Sequence, residues 1–145
     1  MMRLIDTNVL VYAHDRASPK QSIAQQVVTE ALTGNQPCCV TAQNLAEMYA
    51  VITNGRRVQH PLRPDAAARL VDLYWQAPHL TKLLPTAAVM HRFLTVLREA
   101  GPTGADTFDA FLAATALEHG VTEAYSENTA HLQRFGLAAI NPFAP

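Results

Sequence analysis

Short apolar runs alternate with stretches of helical periodicity along the whole chain, and this alternation constrains the fold more than any other feature. The runs at residues 3–6, 37–40, 79–84, 121–126 and 137–140 read as strands. Helical patterns lie between them. One runs from Val9 to His14. The next starts at Ser18-Pro19 and carries Ile23, Val27, Val28, Ala31 and Leu32 up to Gly34. Thr41 caps a third, with the stripe Leu45, Met48, Tyr49 and Ile52, which stops near Asn54-Gly55. Pro64-Asp65 opens a fourth, and Thr86 caps a fifth that ends before Gly101-Pro102. Residues 107–119 carry the strongest pattern, stopped by Gly120, and residues 129–135 form a short helix or turn. Strands separated by helices predict a parallel sheet with helices on both faces. The functional crevice of such a sheet lies at the carboxyl ends of its strands, which points to Asp6, Thr41 and Ser126.

A chain of 145 residues, 49% apolar, is expected to form a single domain over residues 1–145. It buries roughly two-thirds of its unfolded surface and needs no disulfide or metal merely to fold. Cys38 and Cys39 are adjacent, which excludes a disulfide framework and a cysteine zinc site. There is no apolar run of membrane-spanning length and no signal-peptide pattern, so a soluble cytoplasmic protein with no membrane partner is expected. Charge is uneven: residues 56–98 sum to +5 and residues 99–145 to −5. That suits a polyanion beside a carboxylate site, and suits ordinary solvated helix faces equally.

Three acids stand out. Asp6 ends the first strand, and two readings are open: a helix N-cap, or a free carboxylate with Asn8 as the cap. Glu47 sits in Leu45-Ala46-Glu47-Met48-Tyr49 with no basic residue three or four positions away, where a buried carboxylate requires a cation in compensation. Asp106 has N-cap spacing before the helix at 107–119, a shortened capping box. Asp109 differs, because Ala110, Ala113 and Ala114 let its side of the helix approach another backbone and carry it toward Asp6. Three carboxylates in one crevice raise each other's pKa, and a hard divalent cation relieves the repulsion. Mg²⁺ or Mn²⁺ held this way suits phosphodiester hydrolysis. The six histidines show no ligand spacing, Ser126 reads as a structural hydroxyl, and no Gly-rich phosphate loop is present.

The segments Ile5-Asp6-Thr7-Asn8-Val9-Leu10, Asn44-Leu45-Ala46-Glu47-Met48-Tyr49 and Phe108-Asp109-Ala110-Phe111-Leu112-Ala113-Ala114 resemble the PIN-domain family, in particular its VapC-type toxins. Tyr125-Ser126-Glu127-Asn128-Thr129 and Ile140-Asn141-Pro142-Phe143 resemble that family's last segments, so the match runs nearly end to end. The resemblance implies a three-layer α/β/α sandwich with a short parallel sheet. It also implies a Mg²⁺- or Mn²⁺-dependent endoribonuclease, the toxin of a type II toxin–antitoxin pair. Asp6 and Asp109 would hold the cation, and Glu47 would act on the metal or its water. The implied partners are RNA, a second copy of the chain, and a small antitoxin that covers the site and brings the complex to operator DNA. Many relatives carry a further Asp where this chain has Asn128, and an Asp-Phe pair where it has His131-Leu132. Asn128 can orient water or phosphate without adding charge, and Asp106 is the other candidate for a fourth site position. Arg56, Arg57, Arg63 and Arg92 are candidates for steering the RNA backbone.

Two other readings compete. The missing acids at Asn128 and His131 fit a catalytically weak PIN-like module that binds RNA or protein without cutting. A strand-end Asp also starts the haloacid-dehalogenase motif, but that motif needs a second acid two positions on, where this chain has Asn8.

Overall fold

In the computed structural model, which describes residues 1–145, five parallel strands form one sheet. They are β1 (Arg3–Ile5), β2 (Cys38–Thr41), β3 (Leu80–Leu83), β4 (Glu123–Tyr125) and β5 (Ala138–Ile140), paired in the order β3-β2-β1-β4-β5. Seven helices complete the chain: α1 (Thr7–Ala13), α2 (Gln21–Thr33), α3 (Ala42–Ile52), α4 (Pro64–Gln76), α5 (Ala87–Ala100), α6 (Asp106–Glu118) and α7 (Thr129–Arg134). Every expected element forms.

Successive strand residues face opposite layers, as the pleat requires. Ile5, Cys38, Val40 and Leu80 join a core with α1, α2, α3 and α4, whereas Leu4, Cys39 and Leu83 join a second core with α6 and α7. Phe93 of α5 closes the second layer edge-to-face on Phe111 of α6, with ring centroids 5.0 Å apart. The expected three-layer α/β/α sandwich is therefore what the chain builds. Adjacent Cys38 and Cys39 point into different layers, and burial raises their thiols to about 11 and about 12. No helix is long and apolar enough to cross a membrane.

Element boundaries shift by a residue or two for local reasons. α1 begins at Thr7 because Asp6 caps it, and α2 begins at Gln21 because the Ser18 hydroxyl accepts the Lys20 N–H and holds a turn before it. Gly34 ends α2 at φ +81°, and a Cβ there would meet the His79 ring at 3.1 Å, so glycine suits the position on both counts.

The strand order locates the crevice. From β1 the chain moves outward to β2 and β3 on one side, then returns to lay β4 and β5 on the other, so the order reverses between β1 and β4. The Asp6 N–H donates to the Tyr125 carbonyl at 2.9 Å, extending the pairing one residue beyond β1. At the same end Lys20 pairs with Glu127, Tyr12 donates to the other Glu127 oxygen at 2.5 Å, and Phe143 packs edge-on against Tyr12. These contacts fasten the segment after β4 to α1.

His14, the C-cap of α1, shares a 2.6 Å hydrogen bond with the buried Tyr74 hydroxyl of α4. Burial lowers the His14 pKa and raises that of Tyr74. A histidine held below its unfolded value of about 6.5 favours the fold when neutral. Its contribution is complete above that pH and is lost as pH falls from there through the lowered folded-state value. Denaturation midpoints measured at falling pH are expected to drop below about pH 6.5. His14→Gln, which keeps a hydrogen-bonding partner for Tyr74 without titrating, should flatten that part of the profile; an unchanged slope would exclude His14 as its source.

Candidate active site at the carboxyl end of the sheet

Asp6 leaves the end of β1 at φ −69°, ψ 155° and caps α1, its Oδ1 accepting the Thr7 N–H at 2.8 Å. The other oxygen, Oδ2, accepts the Ser126 hydroxyl at 2.7 Å and the Asn8 amide at 3.2 Å. This decides between the two readings left open for Asp6 in favour of the N-cap. Asn8 is not the cap; it ties Asp6 to the segment after β4, also donating to Ser126 Oγ at 3.2 Å and accepting the Glu127 N–H at 3.2 Å. Ser126 is structural, as expected, and its task is specific: fully buried, it aims its hydroxyl at Asp6 while accepting the Asn128 N–H. Asp6 is 6% exposed. Burial raises its pKa, the bonds from Ser126 and Thr7 lower it, and the charges of Asp109 and Glu47 raise it again.

Glu47 reaches the same place from α3. Thr41 caps that helix through a reciprocal box with Asn44, whose side chain accepts the Thr41 N–H at 3.0 Å. The fully buried Asn44 amide donates to Thr7 Oγ1 at 3.1 Å, and the Thr7 hydroxyl donates to Glu47 Oε2 at 3.0 Å. Gln43 donates to Glu47 Oε1 at 2.6 Å and to the Phe108 carbonyl at 3.0 Å. Glu47 thus has no basic partner, as its neighbours in sequence indicated; neutral donors hold both oxygens.

Asp109 enters from the first turn of α6, whose Ala110, Ala113 and Ala114 are buried. Burial raises its pKa, while a bond from His131 at 3.3 Å lowers it. Asp106 does not cap α6, as its spacing suggested. Ala105 holds that position without a side-chain bond, and Asp106 turns to Arg134 at 3.4 Å and His131 at 3.8 Å. The three ligand atoms that lie within 4.8 Å of one another belong to Asp106, Asp109 and His131. No pairing of histidine spacings signals His131; the departure from the resembling family's Asp-Phe pair is its only mark in the sequence.

Asp6, Glu47, Asp109 and Asn128 line one cleft of about 440 Å³, together with Thr7, Tyr12 and Arg57. Arg56 and Arg63 are exposed and lie outside that lining, and Arg63 pairs with Asp65. Arg92 pairs with Glu118 at the far end of α6, roughly 13 Å along the helix axis from Asp109.

The donor set fits a hard divalent cation. Every inward group of Asp6, Glu47 and Asp109 is an oxygen, and burial, followed by repulsion from neighbouring acids, raises Asp6 and Asp109. A cation taking one or two of these carboxylates and keeping waters would relieve that repulsion.

The chain is similar to known proteins in sequence and in fold. A family profile described as PIN domain matches residues 3–136. VapC ribonuclease Mb2897 of Mycobacterium bovis is 34% identical over 122 residues, 83% of this chain and 82% of the relative. Ribonuclease VapC24 of Mycobacterium tuberculosis is 30% identical over 139 residues, 96% of this chain and 94% of the relative. Among solved structures, the Mycobacterium tuberculosis sarcin-ricin loop cleaving toxin VapC20 superposes with a TM-score of 0.70 at 14% identity, covering 95% of this chain and 98% of that one. VapBC2 of Rickettsia felis, bound to a promoter DNA fragment, gives a TM-score of 0.67 at 15% identity, covering 97% and 98%.

Ser126→Ala removes the stronger donor from Asp6 Oδ2 and leaves only the Asn8 amide and the Thr7 N–H to oppose burial and the neighbouring charges. A carboxyl ¹³C NMR titration of the metal-free chain is expected to place the Asp6 pKa above that of the unaltered protein. An equal or lower value would show that Ser126 does not support the carboxylate.

Proposed function

The chain belongs to the PIN-domain family, and from that premise we propose that it is a divalent-metal-dependent endoribonuclease, the toxin of a type II toxin–antitoxin pair. One observation carries the reading: Asp6, Glu47 and Asp109, drawn from three elements, line one cleft, with neutral donors fixing Asp6 and Glu47 from behind. The intact support around these acids favours a nuclease over a module that binds without cutting.

We assign the residues as follows. Asp6 and Asp109 hold Mg²⁺ or Mn²⁺. When bound, the cation lowers the pKa of water and neutralises charge gathering on the phosphate. Glu47, directed by Thr7 and Gln43, orients the attacking water and takes its proton. Asn128, at the cleft's edge, donates its amide to a phosphate oxygen or water. Asp106 is held by Arg134 and tunes the flank. Arg57 in the cleft, with the exposed Arg56 and Arg63 nearby in sequence, guides the RNA backbone past an acidic centre that repels it without a cation. Arg92 is committed to Glu118, which weakens its assignment to the same task.

The proposed partner set is RNA, a small antitoxin and a second copy of the chain, with DNA reached only through the antitoxin. Likeness to solved toxin–antitoxin assemblies supports the antitoxin. The proposed compartment is the cytoplasm.

Removal of divalent cations by EDTA should stop RNA cleavage, and Mn²⁺ should restore it. Asp6→Asn should lower cleavage by more than the roughly 10–100-fold typical of changes behind a metal ligand. The same variant should remain folded by circular dichroism, and should lose the rise in melting temperature that Mn²⁺ gives the unaltered protein. Cleavage by purified Asp6→Asn at the unaltered rate would refute the assignment.

A further inference from the structure

A second recess, about 530 Å³, opens on the other side of the acidic centre, between α3 and the start of α6. It shares Glu47, Asp109 and Asn128 with the cleft and continues past them to Phe108, Asp106 and His131. Phe108 is 61% exposed, although it precedes Asp109 directly and occupies the first turn of an otherwise well-buried helix. Its backbone is not loose. Gln43 donates one amide hydrogen-bond to the Phe108 carbonyl and another to Glu47, so the aromatic residue is fastened to the same side chain that fixes Glu47.

Exposure alone marks nothing, since Leu73, Trp75 and Ile140 are exposed as well; Phe108 is singled out by its place beside Asp109 and its tie through Gln43 to Glu47. The recess walls decide what it faces. Asp106, Asp109 and Glu47 repel a phosphate, and Arg134 is engaged with Asp106. A nucleobase is neutral, flat and rich in N–H donors, so it suits carboxylate walls and an aromatic face together. We propose that this recess is a nucleobase subsite, in which an unpaired base next to the scissile phosphate stacks on Phe108. This rests on the nuclease reading above and adds to it a residue, Phe108, that positions the base beside the cut.

The probe is a 12-nucleotide RNA carrying the cut site mapped on total RNA, with matched versions abasic at each position flanking the cut. With Mn²⁺ and the full chain, one abasic version should raise KM by about 5- to 100-fold, the range expected for losing one base–aromatic stack. Phe108→Ala should raise KM for the unmodified RNA by a similar factor, and the abasic change should then add nothing. Phe108→Trp should restore KM, and circular dichroism should show all variants folded. Unchanged KM in Phe108→Ala, or losses from the two changes that multiply, would overturn the subsite while leaving the nuclease intact. Normal RNA kinetics in Phe108→Ala with weakened antitoxin binding would likewise overturn it and assign Phe108 to a protein contact. Absence of Mn²⁺-dependent cleavage by the unaltered chain would remove the nuclease reading, and the subsite with it.

Discussion

A carboxylate buried at the end of the middle strand is the constraint on which the rest of this structure turns. Asp6 can sit there only because three groups donate to it: the first N–H of α1, the Asn8 amide and the Ser126 hydroxyl. Those donors come from both sides of the point where the strand order reverses, so satisfying Asp6 also joins β1, α1 and the segment after β4. An unsatisfied carboxylate in that place would cost several kcal/mol, on the order of the whole stability margin of a small domain. The capping role and the proposed chemical role are therefore held by one side chain rather than being alternatives.

The second acid shows the same economy. Asn44 completes the cap of α3, steadies Thr7, and through Thr7 directs Glu47, while Gln43 holds the opposite oxygen and reaches to α6. None of these donors carries a charge. The negative potential of Asp6 and Glu47 is left uncompensated from behind, which is what a site awaiting a cation requires and what a structural ion pair would cancel; Asp109 alone has a basic neighbour, His131.

Much of this was legible in the residues. Alternating apolar runs and helical stripes foretold five strands and the layered fold, because their periods differ and each short strand is closed by a capping or turn residue. Asp6, Glu47 and Asp109 could be picked out as carboxylates in apolar or small-residue surroundings. What could not be read were the contacts across the chain. Asn8 has the chemistry of a cap, and only the extended backbone at Asp6 assigns that role to its neighbour. Ser126 lies 120 positions from its partner. Asp106 matches a capping pattern but is drawn away by Arg134 and His131 of α7, which no local rule foresees. The basic segment 56–98 reads as one feature in the sequence, yet Arg57 lies in the cleft while Arg92 lies at the other end of α6.

The adjacent cysteines of β2 have a consequence of their own. Because the pleat turns Cys38 toward α1–α4 and Cys39 toward α6–α7, the chain carries one sealed sulfur in each half of the sandwich. Their raised pKa values and complete burial leave both unreactive while the molecule is closed. An alkylating reagent would therefore reach each sulfur only when its own layer lifts from the sheet, so the two rates of modification would time the opening of the two halves separately, with no label introduced from outside.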